Sequence, residues 1–281
     1  MPKAQVNGIE VYYETFGDPA GEAVLLINGL GSQMTRWPEA FCEKLTARGY
    51  YAIRFDNRDV GLSTWFKQGD HYRLEDMAAD AVGLLDSLNI GKAHIVGVSM
   101  GGMIAQTIAA RHPERALSLT SIMSATGDPA GMQSTPEAAA VLNTPAPNPK
   151  EDFEAFVAHG IKNARTIGSP GYPWTDDELR ERVISEYRRA FNPAGVARQL
   201  AAIRATGDRT EWCKTITCPT VVLHGADDPL VPLAGGEATA KAVPGAELRV
   251  IPGMGHDLPP ALYDTVADAI FAAAARAKTP A

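Results

Sequence analysis

The chain has 281 residues, 45% of them hydrophobic and 21% charged, with a formal net charge of −7. That length supports one large α/β domain, or a domain carrying an insertion, with a sizeable core. The acidic balance and the lack of a basic cluster argue against nucleic acid as a partner, and no apolar run is long enough to span a membrane.

Glu10-Val11-Tyr12-Tyr13-Glu14 alternates like a strand, and Asn7-Gly8 before it reads as a hairpin turn. Ala23 to Ile27 is a continuous apolar run ending in Asn28-Gly29, the pattern of a strand covered on both faces. Pro38 to Ala47 is expected to be a helix with proline near its first turn, and Tyr51 to Phe55 the next strand. Leu74 to Leu88 has helical periodicity and is closed by Asn89-Ile90-Gly91. A short apolar strand, Ala93 to Val96, then runs into Gly97-Val98-Ser99-Met100-Gly101-Gly102 and an apolar helix, and Leu117 to Met123 is a further strand.

The pattern changes after that strand. From Gly127 to about Trp212 there is no strand-like run, and helical stretches occur at Asp152 to Ala158, Asp176 to Arg189 and Ala194 to Ala205. Alternation resumes with a strand at Thr220 to His224, a helix at Leu233 to Val243, a strand at Glu247 to Ile251 and a closing helix at Pro260 to Ala275. Alternating strands and helices predict an α/β fold with a mostly parallel sheet and helices on both faces. The expected division is a core made of 1–126 and 213–281, with 127–212 inserted as a helical cap, or lid, over the C-terminal edge of the sheet.

A strand that ends in Gly-x-Ser-x-Gly and turns at once into a helix is the setting of a nucleophile elbow. The turn holds Ser99 in a strained conformation, and Gly97 and Gly101 sit where a Cβ is hardest to accommodate. The helix opening at Met100 aims N–H groups and a positive dipole end at the serine oxygen. A serine hydroxyl needs a base within hydrogen-bond reach, and the base needs an orienting group. His224-Gly225-Ala226-Asp227-Asp228, just after a strand, supplies an acid; Gly255-His256, after the last strand, supplies a histidine. Both lie at C-terminal strand ends, where open α/β sheets bind ligands. Asp228 and Asp227 are both open to the acid role. The bland readings are a buried serine in a tight turn and a surface-loop histidine.

These motifs, with Asn28-Gly29-Leu30-Gly31 and Asp56-Asn57-Arg58-Asp59-Val60-Gly61-Leu62-Ser63, resemble the α/β-hydrolase superfamily over nearly the whole chain. Ile251-Pro252-Gly253-Met254-Gly255-His256 and the Asp-x-Arg-Asp-x-Gly-x-Ser stretch are most similar to its aclacinomycin methylesterase branch, a set of capped serine esterases. The resemblance implies Ser99 as nucleophile, His256 as general base and then acid, and Asp228 as orienting carboxylate, with Asp227 as the alternative. It implies the backbone N–H groups of Leu30 and Met100 as an oxyanion hole. Many relatives have histidine where this chain has Asn28. Carboxylic-ester hydrolysis through an acyl-enzyme, on small to medium, partly apolar esters, methyl esters among them, is the expected reaction. Carbon–carbon hydrolysis, lactone opening and perhydrolysis share the machinery; a non-catalytic ligand receptor is a reading of another class.

Met103, Met123, Trp174 and Leu230 are candidate pocket residues, as are Met100 and Met132, with core packing the competing role for the methionines. Arg58 and Asp59 read as a structural turn and ion pair, and His224 as a structural strand-end residue. No cofactor is implied. No His-x-x-x-His pair holds two metal ligands on one face, and a metal would leave the serine elbow unexplained. Three cysteines, Cys42, Cys213 and Cys218, read as reduced thiols. The segment Met1 to Asn7 has no apolar signal-peptide core, so a cytoplasmic location is expected.

Overall fold

The structure, a computed structural model, describes residues 2–278, without the side chains of Ala130 and Met132. Eight strands form one sheet in the order β1-β2-β4-β3-β5-β6-β7-β8. They are β1 (Lys3–Val6), β2 (Ile9–Phe16), β3 (Ala23–Ile27), β4 (Tyr51–Phe55), β5 (Ala93–Val98), β6 (Ala116–Ile122), β7 (Thr220–Gly225) and β8 (Glu247–Ile251). β1 and β2 form an antiparallel hairpin, with Val6 paired to Ile9 across Asn7-Gly8. Both turn residues have positive φ, 49° and 75°, as a tight two-residue turn requires. β2 lies antiparallel to β4, and all strands beyond it run parallel.

The parallel strands are apolar on both faces because helices cover both. Leu25, Ile27, Ile53, Phe55, Ile95 and Leu119 pack with α2 (Leu74–Ser87) and α3 (Met100–Arg111). The alternate residues, Val24, Leu26, Ala52, Val96, Ile122, Val221 and Leu223, pack with α1 (Glu39–Thr46) and with α10 (Tyr263–Ala277), the closing helix. Each such fully buried aliphatic side chain contributes about 1.5–3 kcal/mol, and the two-residue period sends successive ones to opposite layers.

Between β6 and β7 the chain forms α4 (Pro136–Asn143), α5 (Phe153–Ile167), α6 (Asp176–Arg189), α7 (Pro193–Thr206) and the short α8 (Thr210–Cys213). No strand occurs there among the described residues. Phe153, Phe156, Tyr187 and Phe191 give this excursion an aromatic cluster of its own, with centroid separations of 5.3–6.1 Å. α9 (Leu233–Ala242) follows β7. Two differences from the sequence reading have local causes. α5 continues well past Ala158 with Gly160 inside it: a Cβ there would stand 2.8 Å from a methyl of Val183, so the glycine is what the close crossing with α6 requires. α4, capped by Thr135, was not anticipated.

Arg58 and Asp59 do not pair with each other. Arg58 pairs with Asp80 of α2 at 2.6 Å, and Asp59 with Arg198 of α7 at 2.7 Å. Adjacent side chains in this turn point to opposite partners. Asp59 (φ 69°) leans toward the excursion.

Candidate active site

Ser99 joins β5 to α3 with φ 55° and ψ −121°, a strained combination for a residue with a side chain. Its N–H donates to the Ile122 carbonyl of β6 at 2.9 Å, which pins the turn to the sheet. A Cβ on Gly97 would stand 2.0 Å from the Gly101 carbonyl oxygen, and one on Gly101 would stand 2.2 Å from that of Ile27. Backbone obstructs both positions, so the strand-to-helix corner closes only with glycine on each side of Ser99.

The acid loop leaves β7 and the histidine loop leaves β8. Asp228 is buried; its Oδ1 accepts the N–H groups of Leu230 and Val231, each at 2.9 Å. Its Oδ2 lies 2.7 Å from His256 Nδ1, and His256 Nε2 lies 2.9 Å from Ser99 Oγ. A carboxylate can only accept, so Nδ1 carries the proton and Nε2 is left as an acceptor facing the hydroxyl. Such an arrangement can take the serine proton as the oxygen attacks. Asp227 points elsewhere and accepts the Gly253 N–H at 2.8 Å.

His224 is fully buried behind Asp228. Its Nε2 donates to the Val231 carbonyl at 2.7 Å and lies 3.7 Å from Asp228 Oδ2. Burial holds its pKa below the usual histidine range, against the opposing pull of Val231 and Asp228. It is therefore neutral and braces the acid loop, the structural role expected of it.

The loop after β3 crosses the elbow at contact distance: a Cβ on Gly29 would lie 3.2 Å from Ser99 Cβ. Leu30 and Met100 line the same cavity as Ser99 and His256. Met100 is the first residue of α3, so its N–H has no acceptor within the helix. Asn28 is buried, and its side-chain amide has no hydrogen-bond partner among the described residues.

The cavity has a volume of about 640 Å³, and Met103, Met123, Trp174 and Leu230 all border it. Met103 and Met123 are also buried core residues. Met132 falls outside the described side chains. The three cysteines are unpaired thiols, and burial pushes that of Cys42 up to about 12.

The link between the excursion and the histidine loop was not found from the sequence. The Ile167 carbonyl accepts the His256 N–H at 2.7 Å, and Ser169 Oγ accepts the Gly255 N–H at 2.9 Å. Asp257 accepts the Ser169 N–H and the Trp174 indole N–H, both at 2.9 Å, and the Ser169 hydroxyl. Its position directly after His256 was the available signal. Trp174 is thus anchored to the histidine loop while it borders the cavity. Among the described residues, no helix is long and apolar enough to cross a membrane.

A family model described as the alpha/beta hydrolase fold matches residues 22–259. The chain is 30% identical to rhodomycin D methylesterase of Streptomyces peucetius over 97% of this chain and 98% of the relative. It is 31% identical to the rhodomycin D methylesterase of Streptomyces sp. (strain C5), with the same two coverages. Among solved structures it resembles the enol-lactonase from Burkholderia xenovorans LB400, with a TM-score of 0.74 and 24% identity, over 96% of this chain and 100% of that one.

Proposed function

The chain belongs to the alpha/beta hydrolase fold family and is a hydrolase, and from that premise we propose that it cleaves carboxylic esters through an acyl-enzyme on Ser99. The observation that carries this reading is the chain of contacts from Ser99 Oγ to His256 Nε2 at 2.9 Å and from His256 Nδ1 to Asp228 Oδ2 at 2.7 Å.

Ser99 Oγ attacks the ester carbonyl carbon while His256 Nε2 takes its proton. The carbonyl oxygen becomes an oxyanion held by the N–H groups of Leu30 and Met100; each such donor is worth roughly 10²–10³ in rate. The tetrahedral adduct then collapses. The carbon–oxygen bond to the alcohol breaks, and His256 passes its proton to the leaving oxygen. Water, deprotonated by the same nitrogen, attacks the acyl-enzyme; the acid leaves and the proton returns to Ser99. Asp228 keeps the imidazole in the tautomer that presents Nε2 and stabilises the imidazolium between steps.

In this reading the helices of 127–212 act as the cap, and the substrate is a small to medium, partly apolar ester. A cavity of about 640 Å³ bordered by Met103, Met123, Leu230 and Trp174 supports that size and polarity. The two methylesterase relatives support a methyl ester as the bond broken.

The test is rapid-mixing kinetics on 4-nitrophenyl esters from acetate to decanoate. The wild type should release a burst of nitrophenol. Ser99→Ala should lose the burst and fall by about 10⁶-fold in kcat. A variant that kept its burst would remove Ser99 from the mechanism.

A further inference from the structure

α6 brings Arg182 to the border of the cavity that holds Ser99 and His256. Its guanidinium carbon lies 5.0 Å from the centre of the Trp174 ring, and Trp174 is fixed by its bond to Asp257. The Nε atom is closed off from solvent and has no acceptor. Among the described residues no hydrogen bond or ion pair reaches this side chain. The carboxylates around it are occupied. Glu186 is bound by Arg36, Asp257 by Ser169 and Trp174, and Glu178 by Thr175 at the start of α6. Glu181, the remaining carboxylate on the cavity border, is exposed on the helix.

Two other arginines of the excursion show the contrast. Arg189 and Arg198 are each matched to a buried aspartate, Asp56 and Asp59. Arg182 is left with unfilled donors: the charges of Glu186 and Asp257 act on it through space, but neither carboxylate bonds it. Burial, with the charge of Arg36 nearby, lowers its pKa to about 10 against the opposing pull of Glu186 and Asp257, which leaves it a cation at neutral pH. A planar fork held against an indole is preorganised for two parallel bonds to a carboxylate. Unfilled N–H donors at the border of a substrate cavity call for an acceptor on the substrate.

We propose that the ester taken by this site carries a carboxylate of its own, and that Arg182 is the specificity-determining residue that binds it. The proposal rests on Ser99 being the nucleophile. The carboxylate is remote from the scissile carbonyl, in the acyl part or in the alcohol part.

The test compares two matched pairs of esters. Mono(4-nitrophenyl) glutarate against 4-nitrophenyl hexanoate places the charge in the acyl part; 4-acetoxybenzoate against 4-acetoxyacetophenone places it in the alcohol part. The readout is the anionic-to-neutral ratio of kcat/KM in Arg182→Gln divided by that ratio in the wild type, which cancels intrinsic reactivity. For one pair it should fall by about 10–100-fold, with Arg182→Lys, which keeps the charge and loses the fork, in between. Both pairs unchanged within about twofold would overturn the proposal. If Arg182→Gln does not fold, the wild type still decides. Glutaramate, whose carboxylate is remote from its amide carbonyl, should inhibit 4-nitrophenyl hexanoate turnover at least about tenfold more strongly than hexanamide, and equal inhibition counts against the proposal. Ser99→Ala on the neutral esters separates the two ideas. Activity there defeats the nucleophile; an inactive Ser99→Ala with an unmoved Arg182 ratio defeats the carboxylate alone.

Discussion

Arg198 and Asp59 meet fork to fork across 139 residues of sequence, with Nη2 2.7 Å from Oδ1 and Nε 2.8 Å from Oδ2. The aspartate is fully buried and also accepts the Tyr72 hydroxyl and the Phe66 N–H, each at 2.8 Å. This pair and Arg189 with Asp56 join the helical excursion to the loop after β4.

Removing the cation from this pair strands a buried charge. Arg198→Ala should cost about 3–5 kcal/mol in urea unfolding at pH 7. Burial alone would raise the Asp59 pKa, but its donors outweigh burial and it is lowered. A depressed carboxylate contributes stability that is full above its unfolded pKa of about 3.9 and is lost as pH falls toward the folded value. The difference between wild type and Arg198→Ala should therefore shrink below about pH 4. A loss under about 1 kcal/mol at pH 7 would mean that the pair is solvated like a surface bridge.

The two adjacent aspartates after β7 should separate cleanly in kinetics. Asp228→Asn keeps the shape but presents an amide to His256 Nδ1, so the imidazole can adopt the wrong tautomer. A kcat loss of about 10⁴-fold is expected. Asp227→Asn, which touches only the Gly253 N–H, should leave kcat within about threefold. The reverse ranking would move the acid role to Asp227.

Glycines of different surroundings should respond oppositely to alanine. Gly101→Ala drives a methyl against the Ile27 carbonyl, backbone that cannot yield, and should cost about 3 kcal/mol or more by thermal unfolding. Gly91, after α2, has open space at its Cβ position and no positive φ, so Gly91→Ala should be neutral or add about 0.4–1 kcal/mol. A tolerated Gly101→Ala would show that the elbow can relax.

Buried neutral histidines make the fold acid-sensitive above the carboxylate range. His224 and His94 both have pKa values lowered chiefly by burial. The unfolded chain takes up protons near pH 6.5 that the folded chain resists. Their contribution is thus full above about pH 6.5 and declines below it, by up to about 1.4 kcal/mol per pH unit for each. His224→Gln should flatten the slope of unfolding free energy between pH 6.5 and 5.5, whatever it does to stability at pH 7.5. An unchanged slope would assign the acid sensitivity elsewhere.

The strands were legible because parallel strands buried on both faces are written as short apolar runs bounded by turns, as in Ala23 to Ile27. Ser99, Asp228 and His256 were legible as positions for a related reason. Each lies at or within a few residues of the C-terminal end of a strand, and a parallel sheet brings those ends to one edge. The latches of Asp56 and Asp59 were not legible, because pairing with Arg189 and Arg198 leaves no local period. Arg58-Asp59 illustrates the point: adjacency suggested a mutual pair, and the turn sends the two side chains apart. The reach of α5 beyond Ala158 was not legible either, because Gly160 is explained only by the crossing with Val183 of α6.

β6 and β7 are hydrogen-bonded neighbours, Leu119 to Ile122 against Thr220 to Leu223, although the whole helical excursion lies between them. The chain leaves and rejoins the sheet at adjacent places. Changes in those helices need not shift β6 against β7, provided that Ile167 and Ser169 still hold the histidine loop and Arg189 and Arg198 still meet their aspartates. Most of the excursion's length is therefore open to change without disturbing the sheet, while the few residues that reach back to the histidine loop and to the loop after β4 are not.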